Sequence, residues 1–198
     1  MCAMGSPTTR PRKTLEDYLA LPDDVRAELI DGELYVSPAP GTPHQRVVRE
    51  LTRRMCDEVE RLGAGEAFVG PLDVFLPNGD VVQPDVLVIA DAQSDALRRD
   101  GFHGAPALAV EVVSPSHPER DRFVKMWRYA QSGVAEYWIV DPEMRSVEVF
   151  RLRTDDDDID RFEPAGWFRM GDALRSEVLP ALDPVSYTHL TLPTNTVT

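Results

Sequence analysis

Asp85, Glu111 and Lys125 are the residues whose types and setting could do chemistry. Two apolar runs, Val86 to Ile89 and Ala107 to Val113, lie close together in the chain, and each carries a carboxylate. Asp85 stands at the entrance of the first run, after Pro84, and Glu111 lies inside the second. An ionised carboxylate within Ala-Leu-Ala-Val-Glu-Val-Val is costly to bury unless it is paired or bound to a metal. A carboxylate at a strand start and another on a neighbouring strand can meet at one end of a sheet. There they make a hard-oxygen site suited to Mg²⁺ or Mn²⁺. Such an ion polarises a phosphoryl oxygen and lowers the pKa of a bound water. A nearby lysine can orient that water and stabilise developing negative charge.

Each of the three also has a plainer reading. Asp85 could simply cap a strand in a Pro-Asp turn. Glu111 could face solvent from an edge strand, and Lys125 could lie on the solvated face of an amphipathic helix. Glu28 and His44, judged by spacing alone, are a surface acid and a helix-start polar residue. Ser114, Ser116 and His117 look superficially like hydrolase residues, but a local Ser-x-Ser-His has no orienting geometry behind it. The sequence has no GxxxxGK[ST] phosphate loop, no CxxC pair and no GxSxG elbow.

The elements that must position these groups can be read in order. Residues 1–13 are polar with two prolines and are expected to be disordered. Thr14 and Asp17 open a short helix containing Leu15, Tyr18 and Leu19. Pro22 to Leu29 is expected as a second short helix, followed by a hairpin that turns at Asp31-Gly32. Pro43 to Leu62 is an amphipathic helix with Val47, Val48, Leu51, Met55 and Val59 on one face and Gly63 as its stop. Ala67 to Leu76 and Val81 to Ile89 are expected as strands around a two-residue Asn78-Gly79 turn, with Pro84 marking an edge or a bulge. Ala92 to Gly104 is a loop or a short helix. Ala107 to Val113 is a strand buried on both faces. A helix from Arg120 to Ser132 follows, then strands at Glu136 to Val140, at Val147 to Leu152 and around Trp167 to Met170. Strand pairs followed by strand–helix–strand imply an α/β or α+β core with a mixed sheet flanked by helices.

At 198 residues the chain suits one domain. Its 42% hydrophobic and 28% charged content is that of a soluble globular protein. No apolar run is long enough to span a bilayer. The N-terminus lacks the apolar segment of a secretory signal. The two cysteines, Cys2 and Cys56, form no disulfide framework, so a cytoplasmic location is expected. The net charge of −13 argues against a surface that coats nucleic acid generally, though not against a local basic site. Arg120, Arg122, Lys125 and Arg128 gather in one short stretch, whereas Asp155 to Asp158 read as a solvated turn. From about Ser186 the tail loses every charge except His189 and becomes Thr-rich. It looks like translated sequencing-adapter read-through, and the alternative is an ordinary disordered tail.

PDVLVI, GAPALAVEVVSPS and RDRFVKMWRYAQSGVAEYWIVDP, together with RAELIDGEL, SPAPGTPH and SEVLPALDP, resemble the Uma2 (DUF820-like) family of restriction-endonuclease-like proteins in the PD-(D/E)XK nuclease superfamily. The resemblance covers residues 14–184, leaving 1–13 and 185–198 as tails. It implies a restriction-endonuclease-like core and Mg²⁺- or Mn²⁺-dependent cleavage of DNA phosphodiester bonds. Asp85 matches the Asp of PD, and Glu111 matches the acidic member of (D/E)XK. Where the superfamily places Lys, two residues after Glu111, this chain has Val113. In the Uma2 pattern the lysine lies on the following helix, and Lys125 matches it. Glu28 and His44 match recurrent polar positions and are candidate accessory residues. The implied mechanism has Asp85, Glu111 and the Val112 carbonyl holding the ion. Lys125 helps to activate water, and Arg120 or Arg122 contacts the scissile phosphate. A catalytically silent nuclease-fold binding or regulatory protein is the competing reading, favoured by the acidic balance. A homodimer is compatible with the fold type.

Overall fold

The computed structural model describes residues 11–22, 24–114, 120–169, 172 and 174–179. Helix α1 (Leu15–Leu19) is closed by a reciprocal cap between Thr14 and Asp17. Strands β1 (Ala27–Ile30) and β2 (Glu33–Val36) form a hairpin. Asp31 and Gly32 take left-handed φ values of 49° and 75°, as an Asp-Gly turn requires. Helix α2 (Thr42–Leu62) ends at Gly63, whose φ is 56°. Seven strands follow: β3 (Gly65–Val69), β4 (Val74–Phe75), β5 (Val81–Val82), β6 (Val86–Ala90), β7 (Leu97–Arg98), β8 (Gly101–Phe102) and β9 (Leu108–Val112). Helix α3 begins as a π-helical segment, Arg120–Lys125, and continues as an α-helix, Met126–Gln131. Strands β10 (Glu136–Asp141), β11 (Ser146–Thr154) and β12 (Asp160–Arg169) complete the described elements.

The strands make two mixed sheets flanked by helices, the α+β arrangement anticipated. The main sheet runs β12-β11-β10-β9-β6-β3 and the smaller one β2-β1-β5-β4-β8-β7. Strand β9 lies inside the main sheet, parallel to β10 and antiparallel to β6. An edge position for Glu111 is therefore excluded. The stripe Val47, Val48, Leu51, Met55 and Val59 of α2 packs with Val86, Val88, Leu108 and Val110 on one face of this sheet. Leu87, Ala109 and Ile139 point to the other face, where they meet Tyr129 of α3 and Tyr137. The alternation of neighbours between two apolar clusters is the period-two pattern of a sheet covered on both sides.

Several sequence expectations are corrected. Pro22 to Leu29 is not a helix. A single turn, with the Val25 N–H on the Pro22 carbonyl, leads into β1. All four β1 residues are buried, and the strand is held between β2 and β5. Burial around the whole segment overrode its weak helical pattern. The two long strands expected around Asn78-Gly79 are each split. The first breaks at Gly70-Pro71 and Leu72-Asp73, the second at Gln83-Pro84-Asp85. Halves β3 and β6 pair in the main sheet, and halves β4 and β5 pair in the smaller one. The turn spans Leu76 to Asp80 rather than two residues, since Phe75 pairs with Val81. Proline has no N–H for the ladder, so Pro84 is where the chain can leave one sheet for the other. The last strand starts at Asp160, well before the expected Trp167. The loop or short helix expected over 92–104 is a 3-10 helix, Asp91–Ala96, followed by the β7–β8 pair, which was not expected. Of the expected N-terminal tail, Lys13 donates its N–H to the Gly32 carbonyl, while residues 1–10 and the whole 185–198 tail lie outside the described residues.

Candidate active site

The break at Pro84 sets the site. It leaves Asp85 at the head of β6, one position beyond the last pair of the β6–β9 ladder, Val86 with Val110. Carrying that register one step further puts Asp85 opposite Glu111, and directly opposed residues in an antiparallel pair share a face. Asp85 Oδ2 accepts the Val112 N–H at 2.8 Å and contacts His44 Nε2 at 3.1 Å. His44 reaches it from the first turn of α2, and its other ring nitrogen, Nδ1, is buried with no partner among the described residues. Gly70 lies against this break. A Cβ there would stand 2.7 Å from the Pro84 carbonyl oxygen, so only glycine allows the approach.

Lys125 is buried at the end of the π-helical segment, a geometry frequent at functional sites. Its Nζ lies 2.8 Å from Glu111 Oε1 and 2.8 Å from Glu28 Oε1. The lysine missing at position 113 is thus supplied in space by the helix. Val113 itself is apolar core, packed beside Tyr129 and Ile139. Glu28 comes from β1 of the smaller sheet and also accepts the Gln83 N–H at 2.8 Å. Tyr129, one helical turn after Lys125, donates its hydroxyl to Glu111 Oε1 at 2.8 Å. Burial, and then the charges of Glu111 and Glu28, hold the Tyr129 hydroxyl well above its ordinary pKa, so it remains a neutral donor.

Of the catalytic and accessory candidates, Glu28, Asp85, Glu111 and Lys125 are buried. Three are acids and one is a base. This excess of buried negative charge, presented by oxygen donors, suits a divalent cation. Among the described residues, no three of His, Cys, Asp and Glu gather as a ligand set. A cation would therefore rest on Asp85, Glu111, backbone and water, which is the habit of Mg²⁺.

The site opens into a cavity of about 720 Å³. Its walls include the Ser37–Gly41 loop before α2 and the Pro142–Arg145 turn between β10 and β11. Arg122 also lines it, but its guanidinium is engaged by Glu148 and, at 3.2 Å, by Asp141. The side chain of Arg120 lies outside the described residues. Arg128, also noted in the basic stretch, is directed elsewhere. It clasps Asp80 and approaches Asp31 at 3.7 Å, fastening α3 to the β1–β2 turn.

Sequence reasoning missed Tyr129 and Gln83. The sequence points to Phe123, Met126, Trp127 and Ala130 as the apolar face of this helix, whereas Phe123 and Trp127 are exposed and Tyr129 is the buried aromatic; its spacing of four from Lys125 is the available signal. Gln83 meets Glu28 through its backbone N–H, which leaves no mark in composition, while its side chain joins Arg26 to Asp73.

Carboxylates on facing strands at one end of a mixed sheet, one of them paired with a helix-borne lysine, are the arrangement that the resemblance to restriction-endonuclease-like proteins leads one to expect. A family model for Uma2, described as putative restriction endonuclease, matches residues 15–191, and the chain belongs to that family. An uncharacterised protein of Synechocystis is 25% identical over 153 residues, spanning 74% of this chain and 78% of its own. The crystal structure of a putative nuclease belonging to DUF820, from Anabaena variabilis, superposes with a TM-score of 0.66 at 22% identity, covering 82% of this chain and 88% of that one. It shares the fold. Among the described residues no helix is long and apolar enough to cross a membrane.

Proposed function

We propose that this protein is a divalent-metal-dependent endonuclease that hydrolyses DNA phosphodiester bonds. The observation that carries the reading is the buried Lys125 ammonium held between Glu28 and Glu111, with the buried Asp85 carboxylate on the strand facing Glu111. A structural scaffold gains nothing from three buried acids and one base, since an apolar core of that volume is usually at least as stable.

Asp85 and Glu111 would hold the ion, with the Val112 carbonyl beside them. When bound, Mg²⁺ or Mn²⁺ supplies Lewis acidity at a phosphoryl oxygen and lowers the pKa of a water. The other groups are the chain's own contribution. His44 and the Val112 N–H fix the Asp85 carboxylate in one orientation. Tyr129 and Lys125 fix that of Glu111. Glu28 holds the Lys125 ammonium at the cavity, where it can orient the attacking water and stabilise charge on the phosphate. The competing reading, a nuclease-fold protein that binds without cutting, draws on the net charge of −13.

The test is cleavage of plasmid, linear duplex, single-stranded DNA and RNA with Mg²⁺ or Mn²⁺, in the wild type and in Asp85→Ala. We expect metal-dependent DNA cleavage that disappears in the variant while its thermal melt stays cooperative. Cleavage retained by Asp85→Ala would sink the assignment, and a folded wild type that binds DNA yet cuts no substrate would favour the silent reading.

A further inference from the structure

We propose that Arg145 and Arg26 are the residues that meet the substrate's phosphates. The inference rests on the nuclease reading above and concerns how an acidic protein holds a polyanion at that site. Among the described residues, the arginines and lysines lining the cavity are Arg26, Arg122, Lys125 and Arg145. Two are already neutralised. Lys125 lies between Glu28 and Glu111, and Arg122 between Asp141 and Glu148. Arg26 and Arg145 make no ion pair among the described residues. Arg26 makes one neutral hydrogen bond, from Nε to Gln83 Oε1 at 3.1 Å. That bond leaves the outer nitrogens of its guanidinium for another acceptor, and a guanidinium matches phosphate in a two-pronged geometry.

Arg145 carries a second, independent sign. It closes the β10–β11 turn with φ at 51°, in the left-handed region. The turn is fixed before it by Asp141, whose Oδ1 accepts the N–H groups of Glu143 at 3.0 Å and Met144 at 2.9 Å. Glycine or asparagine is the favoured residue at such a position. An arginine stands there against the backbone's preference, at a residue that lines the cavity holding the buried acids. Backbone strain of this kind points from geometry to function.

The test follows from that conflict. Arg145→Gly relieves the backbone and removes the charge, so a structural role and a phosphate role predict opposite results. Binding of a fluorescein-labelled DNA duplex would be followed by anisotropy in EDTA, so that nothing is cut, across a series of salt concentrations. The proteins are wild type, Arg145→Gly, Arg26→Ala and Arg98→Ala, the last an exposed arginine that does not line the cavity. Each lost phosphate contact makes the plot of log affinity against log salt shallower by about 0.9. We expect that change in Arg145→Gly and in Arg26→Ala, weaker binding at every salt concentration, and a wild-type slope in Arg98→Ala. Arg145→Gly should also melt no lower than wild type. Wild-type binding with slopes unchanged in both cavity variants would overturn this inference and leave the nuclease reading standing. A wild type that binds no DNA, in EDTA or with Ca²⁺ in its place, would overturn the nuclease reading itself and this inference with it.

Discussion

Lys125 Nζ and Glu111 Oε1 lie 2.8 Å apart although they belong to different elements, fourteen positions distant in the chain. The superfamily pattern puts lysine two residues from the acid on the same strand. Here a helix brings it to the same carboxylate, and Glu28 holds it from the other side. Replacing Lys125 with Met should lower the cleavage rate by about 10²–10³-fold, the usual loss when a group stabilising transition-state charge is removed. It should also destabilise the fold by about 3–5 kcal/mol, because buried acids are left without their cation. Cleavage assays and urea melts on the same preparation check both.

The relocation can be reversed. Val113 sits two residues after Glu111 on β9's continuation and packs close to Tyr129. A Val113→Lys, Lys125→Met double variant should recover part of the activity lost in Lys125→Met alone. A double variant no more active than the single one would mean that the helical position matters for more than its charge.

His44 touches Asp85, so its removal is expected to act through that carboxylate and any ion it holds. His44→Ala is expected to weaken Mn²⁺ affinity by about 10–100-fold, the typical cost of losing a group that orients a metal ligand. Isothermal titration calorimetry reads this directly. Glu111→Ala should abolish binding in the same experiment. An unchanged affinity in His44→Ala would assign the histidine to substrate or to packing.

Tyr129 gives a pH dependence with a definite sign. Its folded pKa is raised above the ordinary 10, by burial first and by Glu111 next. The neutral form is thus favoured by folding, and the stability it contributes is fully present below pH 10. That contribution is lost as pH rises above 10 toward the folded value. Tyr129→Phe should be less stable at pH 7 by about 1.5–3 kcal/mol, the worth of a hydrogen bond to a charged acceptor. Its stability should fall less steeply than wild type above pH 10, which denaturant titrations at a series of pH values would measure.

How much of this was legible beforehand differs residue by residue. Glu111 announced itself, because an acid inside an unbroken apolar run has few cheap explanations, and its strand proved interior. Helix α2 was equally plain from its stripe and its Gly63 stop. Asp85 was visible as a polar residue at a strand start, but its facing of Glu111 depends on a register that periodicity alone does not fix. Glu28 read as a surface acid and is buried, since what covers it, Lys125 and Gln83, comes from distant parts of the chain. Lys125 is nameable from the charge it carries just after the two acidic strands, but the helical pattern alone leaves it a solvated residue, and the resemblance is what gives it weight. The splitting of both central strands between two sheets was hidden because each half is apolar and extended whichever sheet it joins.

That splitting has a consequence in time. Glu28 and Gln83 belong to the segments that leave the ribosome early, whereas Lys125 and Tyr129 emerge only after β9 has been made. Until α3 docks, the three acids have no lysine among them, and mutual repulsion works against their gathering. A chain ended before α3 would carry Glu28 and Glu111 without the ammonium that lies between them in the folded protein.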